Sequence, residues 1–195
     1  MNDFWKNVWD SKGLSDNDDL LFLNGYEHLK VDISSKFIAD DIADLLNLEV
    51  GDSILEVGCG AGFLSREFVT KYNYYGVDYS KPLIEKHKRL FTNHNVSHAE
   101  ANAIPFKNRQ FDHCFCFGVF QYLPNLEYAK CMISEMKRIV SKNILLGDLK
   151  EKPTRPNHLP CPKNMIEKLG FTILNIRHLN DSNRYHGVLH TEDTQ

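Results

Sequence analysis

The sequence predicts an α/β fold, a doubly wound and mostly parallel sheet closed by an antiparallel C-terminal hairpin. Three observations carry that prediction. Short apolar runs at Ile54–Val57, Tyr74–Val77, Val96–Ala101, Phe111–Phe117 and Ile144–Gly147 alternate with helical patterns along the middle of the chain. The first run opens into Gly58-Cys59-Gly60-Ala61-Gly62, a junction of strand, glycine turn and helix where main chain can lie against a ligand. Finally, Phe171–Arg177 alternates as a strand and Tyr185–His190 reads as its return partner, with Asn180–Arg184 as the hairpin loop.

The chain has 195 residues, enough for one full core and few for two. Its composition, 42% hydrophobic and 25% charged, is that of an ordinary globular domain. The net charge of −3 argues for neither nucleic acid nor an anionic membrane as partner. No run of 18 apolar residues occurs, and Met1-Asn2-Asp3-Phe4-Trp5-Lys6 lacks a signal-peptide pattern. A cytoplasmic protein is therefore expected. The five cysteines are odd in number and dispersed, a poor disulfide framework. Cys114 and Cys116 share a strand face without a partner pair at zinc spacing, so they read as core thiols and no metal site is expected.

Taken in order, Phe4, Trp5, Val8 and Trp9 make an amphipathic stripe, and Ser11 to Asp19 reads as a polar loop. The apolar stretch Leu20–Tyr26 breaks at Gly25 and could carry Tyr26 or His28 toward a site. From a cap at Ser34 or Ser35, the spacing of Phe37, Ile38, Ile42, Leu45 and Leu46 predicts a helix. A helical pattern (Phe63, Leu64, Phe68, Val69, Tyr72) follows the glycine turn. Pro82 then starts a helix through Leu90 whose basic residues, Lys86, Lys88 and Arg89, read as a solvated face. Asn125 caps another, striped by Ala129, Met132, Ile133, Met136 and Ile139-Val140. Leu149–Lys163 holds four prolines and reads as an extended loop, and a short helix stops at Gly170.

The glycines stand at i, i+2 and i+4 with Glu56 two residues before them, whereas dinucleotide sites read G-x-G-x-x-G. Asp78 closes the next apolar run, where such folds grip a ribose. This arrangement resembles the class I S-adenosylmethionine-dependent methyltransferases, whose first motif is E/D-x-G-x-G-x-G, and is similar to their type 11 domains. Glu100-Ala101-Asn102-Ala103-Ile104-Pro105-Phe106 with Phe111-Asp112 is similar to the family's D-A-x-x-L-P-F…F-D. Gly118–Asn125 corresponds to V-L-H-H-L-P-D, with Gln121 and Tyr122 in place of the histidines.

The resemblance, spanning roughly residues 35 to 190, implies a Rossmann-like seven-stranded sheet and S-adenosylmethionine as cofactor. It implies cofactor contacts from Glu56, Gly58, Cys59, Gly60, Gly62 and Asp78, and from Phe117 and Gly118. Tyr79 falls where the family sets a side chain against adenine. Glu100 falls on the acid that meets the adenine amine, and Ala101 on the backbone donor beside it; a shift of two residues puts Asn102 there instead. Residues 1–34 divide off as an N-terminal helical segment, packed on its own domain or serving as a lid, and 35–195 as the cofactor-binding methyltransferase domain.

Methyl transfer mainly needs the nucleophile held in line, plus a base where a hydroxyl attacks. Asp148, at the end of the fifth apolar run, is the first candidate, with His158 and His186 as weaker ones. Lys150, Lys152, Arg155, His158 and Lys163 form either a solvated loop or a basic rim suited to an anionic acceptor. The expected acceptor is a hydroxyl or amine of a small polar metabolite, such as a sugar or nucleotide-linked sugar, handled by a monomer or homodimer. Two other readings stay open: a catalytically silent cofactor-binding partner subunit, and methylation of RNA or protein.

Overall fold

The computed structural model describes residues 4–27, 34–176 and 181–191. His28, Arg177 and Asn180, named above, lie outside them. Helix α1 (Phe4–Leu14) and the short α2 (Leu20–Leu23) precede α3 (Ser35–Leu46), β1 (Ser53–Val57) and α4 (Ser65–Phe68). Next come β2 (Asn73–Asp78), α5 (Lys81–Leu90), β3 (Val96–His98) and β4 (Phe111–Phe117). The chain ends through α6 (Leu126–Ile139), β5 (Val140–Lys150), α7 (Lys163–Lys168), β6 (Thr172–Asn175) and β7 (Arg184–His190).

The seven strands run in the order β3-β2-β1-β4-β5-β7-β6. β1 pairs in parallel with both β2 and β4, and β7 runs antiparallel between β5 and β6. The expected doubly wound sheet with a closing hairpin is therefore the fold observed. Both faces are covered: Leu55 and Val57 of β1 pack toward the α6 and α7 side, while Ile54 packs toward α3 and α4. The strand order reverses at β1/β4, and the crevice beyond the carboxyl ends of these two strands is where an open α/β sheet receives ligands.

Local chemistry accounts for the helix starts. Ser34, Ser80 and Asn125 each cap a helix, their side-chain oxygens accepting the N–H groups of Phe37, Leu83 and Tyr128. Several elements differ from expectation. Helix α1 runs on to Leu14 through residues expected as loop, because Gly13 lies directly on the backbone of Pro82 and Leu83. A Cβ there would stand 2.6 Å from each. The pattern over 63–72 yields only the four-residue α4, and β3 stops at His98. The face of α5 expected to be solvated is partly core. Lys86 is buried and donates to the carbonyls of Ser15 and Asn17, while Arg89 pairs with Asp18. These bonds hold the α1–α2 connection against the domain. Four of the five cysteines are buried and all are free thiols.

Candidate active site

A cavity of about 330 Å³ opens at the carboxyl ends of β1, β2, β4 and β5. One end is built by the glycine turn. Gly58, Gly60, Gly62 and Gly118 all have positive φ, a conformation glycine adopts without strain. Their bare Cα atoms serve different ends. At Gly60 a Cβ would meet only Asn24 Oδ1, at 3.5 Å, and at Gly118 only Tyr26 Oη and Asp148 Oδ2, at 3.8 and 3.9 Å. Both therefore present open main chain to the cavity. At Gly58 a Cβ would strike Val119 at 2.4 Å, and at Gly62 it would strike His87 and Phe91 at 2.9 Å. Gly62 lets α5 approach and does not line the cavity.

Asp78 fixes the turn from the neighbouring strand. Its Oδ2 accepts the Gly60 N–H at 2.9 Å and its Oδ1 the Ser80 N–H at 2.8 Å. Burial pushes its carboxyl up to about 6, against the pull of those two donors. Tyr79 lines the cavity, and its buried hydroxyl has no hydrogen-bond partner. Phe117 and Gly118 line it too. Glu56 and Cys59 do not. The Glu56 carboxyl is buried beneath the turn, accepts the Tyr74 hydroxyl at 2.6 Å, and is pushed up by burial to about 8. Glu100, Ala101 and Asn102 also stand off the lining; Glu100 accepts the Tyr128 hydroxyl at 2.7 Å, which in turn meets the Ala101 N–H.

The other end of the cavity is polar. Asp148 is buried and lines it, with φ +53 where β5 is irregular against β7 between Leu146 and Leu149. A bulge of this kind re-aims a side chain. Oδ1 accepts from Arg184 Nε at 2.6 Å, and the Asp148 N–H donates to His186 Nδ1 at 3.2 Å. His186 itself is buried behind this wall, its Nε2 facing Asp41 Oδ2 at 3.5 Å. It does not line the cavity, and touches its wall through the Asp148 backbone and the Phe117 ring. His158 lines the cavity, and burial pulls its imidazole down to about 4. Its Nδ1 lies 3.1 Å from Thr154 Oγ1, and its buried Nε2 is unpartnered.

The remaining lining includes Trp9 of the N-terminal stripe, Tyr26, and Lys150 and Arg155 of the expected basic rim, joined by Gln121 and Arg184, which the sequence gives no reason to group with them. Trp9 of α1 touches Tyr122 at a ring separation of 5.0 Å, and Trp5 packs between Tyr122 and His158. The indole N–H of Trp5 donates to the Asn157 carbonyl at 2.7 Å, joining α1 to the proline-rich loop. Tyr26, Gln121, Lys150, Arg155 and Arg184 complete the polar end. Burial drives the Tyr26 phenol up, with Asp148 adding to the effect.

Residues 54–143 match the model of a family described as a methyltransferase domain. That stretch is similar to a methyltransferase domain. Among curated proteins none matches this sequence. Among solved structures, magnesium protoporphyrin IX methyltransferase from Synechocystis PCC 6803, with bound S-adenosylmethionine, superposes with a TM-score of 0.64 at 16% identity, over 97% of each chain. Phosphoethanolamine N-methyltransferase 1 of Haemonchus contortus, in complex with phosphoethanolamine and S-adenosylhomocysteine, gives 0.71 at 15% identity, over 96% of this chain and 48% of that one. YcgJ of Bacillus subtilis gives 0.58 at 17% identity, over 71% of this chain and 70% of that one. At such identities the likeness concerns the fold alone. Among the described residues no helix is long and apolar enough to cross a membrane, and no cluster of ligating side chains could hold a metal ion.

Proposed function

We propose that this protein transfers a methyl group from S-adenosylmethionine to a hydroxyl or amine of a small polar molecule. The observation that carries the reading is the continuity of one cavity. Open main chain at Gly60 and the partnerless Tyr79 hydroxyl stand at one end and Asp148 at the other, where Gly118 offers open main chain beside it. These features fit an adenosyl amino acid: bare backbone for close approach, a buried donor without a partner, and an acidic group on the strand next to the turn.

S-adenosylmethionine supplies an electrophilic methyl on a sulfonium. The chain's own contribution is position and proton traffic. Asp78 fixes Gly60, and Tyr79 bounds the same end, while Phe117 lines the cavity beside Gly147 and His186. Asp148 keeps Oδ2 toward Gly118 while Arg184 occupies Oδ1. That free oxygen is set to accept the proton or the hydrogen bond of the attacking hydroxyl or amine. His158, neutral at pH 7, bounds the acceptor end, and His186 orients Asp148 through its N–H. The N-terminal segment acts in this reading as a lid, α1 lying over the cavity through Trp9 and the Trp5–Asn157 bond. A sugar or similar polyhydroxylated metabolite suits a cavity with so many side-chain donors.

The test is S-adenosylhomocysteine release across a panel of small hydroxyl and amine acceptors, alongside RNA and protein. Turnover confined to small molecules is expected. A response to protein or RNA alone would reject the acceptor reading, and cofactor binding without turnover on any class would favour a silent partner subunit.

A further inference from the structure

The acceptor end of the cavity holds more positive charge than its own carboxylates neutralise. Lys150, Arg155 and Arg184 line it, against Asp148 and Asp181. Asp148 is already engaged, with one oxygen on Arg184 Nε. Asp181 sits exposed at the rim, its Oδ1 taken by the Asn183 N–H. The partner of the Lys150 ammonium is neutral, the side-chain oxygen of Gln121, and burial lowers its basicity. A half-buried cation facing an amide is costly unless a counter-charge arrives.

Arg155 stands on the proline-rich loop, whose course is fixed rather than free. The Cys161 N–H bonds the Lys150 carbonyl at 2.8 Å, the Leu159 N–H bonds the Gln121 carbonyl at 2.8 Å, and Trp5 holds Asn157. Beside the cations lies His158. Its Nε2 is buried and partnerless, and burial first, then the nearby charges of Lys150 and Arg155, disfavour its protonation. In the tautomer that accepts the Thr154 hydroxyl at Nδ1, Nε2 carries the hydrogen and is a neutral donor.

We propose that the acceptor carries an anionic group, phosphate or carboxylate, which seats among Lys150, Arg155 and Arg184 with His158 as a neutral fourth donor. This rests on the methyl-transfer reading for its place in the reaction, though the seat itself does not. Three cations provide enough donors to hold several anion oxygens at once, and guanidinium groups bind such oxygens in pairs. Arg184 then has two tasks. It ties Asp148 with Nε and offers its terminal nitrogens to the anion, so the acceptor's nucleophile is delivered beside Asp148 Oδ2. Gln121 releases Lys150 when the anion enters.

The experiment titrates the protein with S-adenosylhomocysteine, then with inorganic phosphate, and in a parallel arm with acetate. The wild-type protein is compared with Lys150→Met and Arg155→Ala. Phosphate or acetate uptake that falls at least tenfold in both variants, with S-adenosylhomocysteine affinity kept, supports the seat; the stronger arm identifies the anion. If the wild-type protein takes S-adenosylhomocysteine but neither anion, or if the variants bind the anion undiminished, the seat is overturned and the methyl-transfer reading stands. If S-adenosylhomocysteine fails to bind while anion uptake still depends on both residues, the methyl-transfer reading falls and the seat stands.

Discussion

Arg184 Nε donates to Asp148 Oδ1 at 2.6 Å, joining the return strand of the hairpin to the bulged end of β5. The pair is buried on the aspartate side, so removing either member leaves a charge without its counter-charge. One oxygen is fixed and the other faces Gly118, which gives the carboxylate a single working side.

Asp148→Asn keeps the size and an oxygen for Arg184 but cannot take a proton. For an acceptor hydroxyl, kcat should fall by about 10²–10⁴, the usual worth of a positioned base. S-adenosylhomocysteine affinity should stay within about twofold, since the loss belongs to the transition state. Steady-state kinetics and calorimetry on the same variant check both. An unchanged kcat would remove Asp148 from the chemistry.

The glycines separate binding from stability. Gly60→Leu sends a side chain into open cavity space and should abolish cofactor uptake while the protein stays folded. Gly62→Ala meets His87 and Phe91 at 2.9 Å and adopts φ +100. It should cost about 1–3 kcal/mol of stability, as overpacking typically does. Calorimetric titration and urea unfolding of the two variants should show opposite patterns.

The strand-end acids and the glycine turn were legible because their signals are local: spacing along the chain and a terminus after an apolar run. Asp148 ends an apolar run in the same way, yet its left-handed backbone lies where β5 pairs irregularly with β7, which no window around residue 148 contains. Arg184 reads as a hairpin-loop charge in sequence and enters the cavity only because β7 returns beside β5. Gly62 fits the motif by spacing, but α5 packs on its face. The length of α1 depended on Gly13 meeting Pro82, a contact 69 residues away by number. Lys86 reads as solvated from its spacing alone, and it is the α1–α2 connection, distant in sequence, that covers it.

Stability should fall as pH rises from about 6.5 to 8. Glu56 has a folded value of about 8 against an ordinary 4.5, because of burial. A raised carboxyl contributes fully below 4.5 and loses that contribution as pH climbs through 8. Asp78 acts in the same direction but is spent once pH passes about 6. His87 opposes them: held neutral by burial at about 4, it adds stability as pH rises from there to 6.5, then stops. Between 6.5 and 8 Glu56 therefore acts without these two. Urea unfolding across that window should show the decline, and Glu56→Gln, which cannot titrate, should flatten it. An equal slope in the variant would mean that Glu56 is not the source.

The N-terminal helix is held at two places of unequal kind. Gly13 seats it on Pro82 and Leu83, while the Trp5 indole N–H bonds Asn157 beside the cavity mouth. Trp5→Phe keeps an aromatic ring against Tyr122 and His158 and removes only the N–H. Global stability should drop by about 0.5–1.5 kcal/mol, the worth of one hydrogen bond. If α1 covers bound cofactor, S-adenosylhomocysteine should dissociate several-fold faster from this variant with little change in its association rate, since affinity changes mostly appear in the off-rate. Gly13→Val should undo the seat itself, exposing residues 4–14 to proteolysis. Stopped-flow displacement on Trp5→Phe decides the point: an unchanged off-rate would make α1 a packed surface helix with no part in retaining the cofactor.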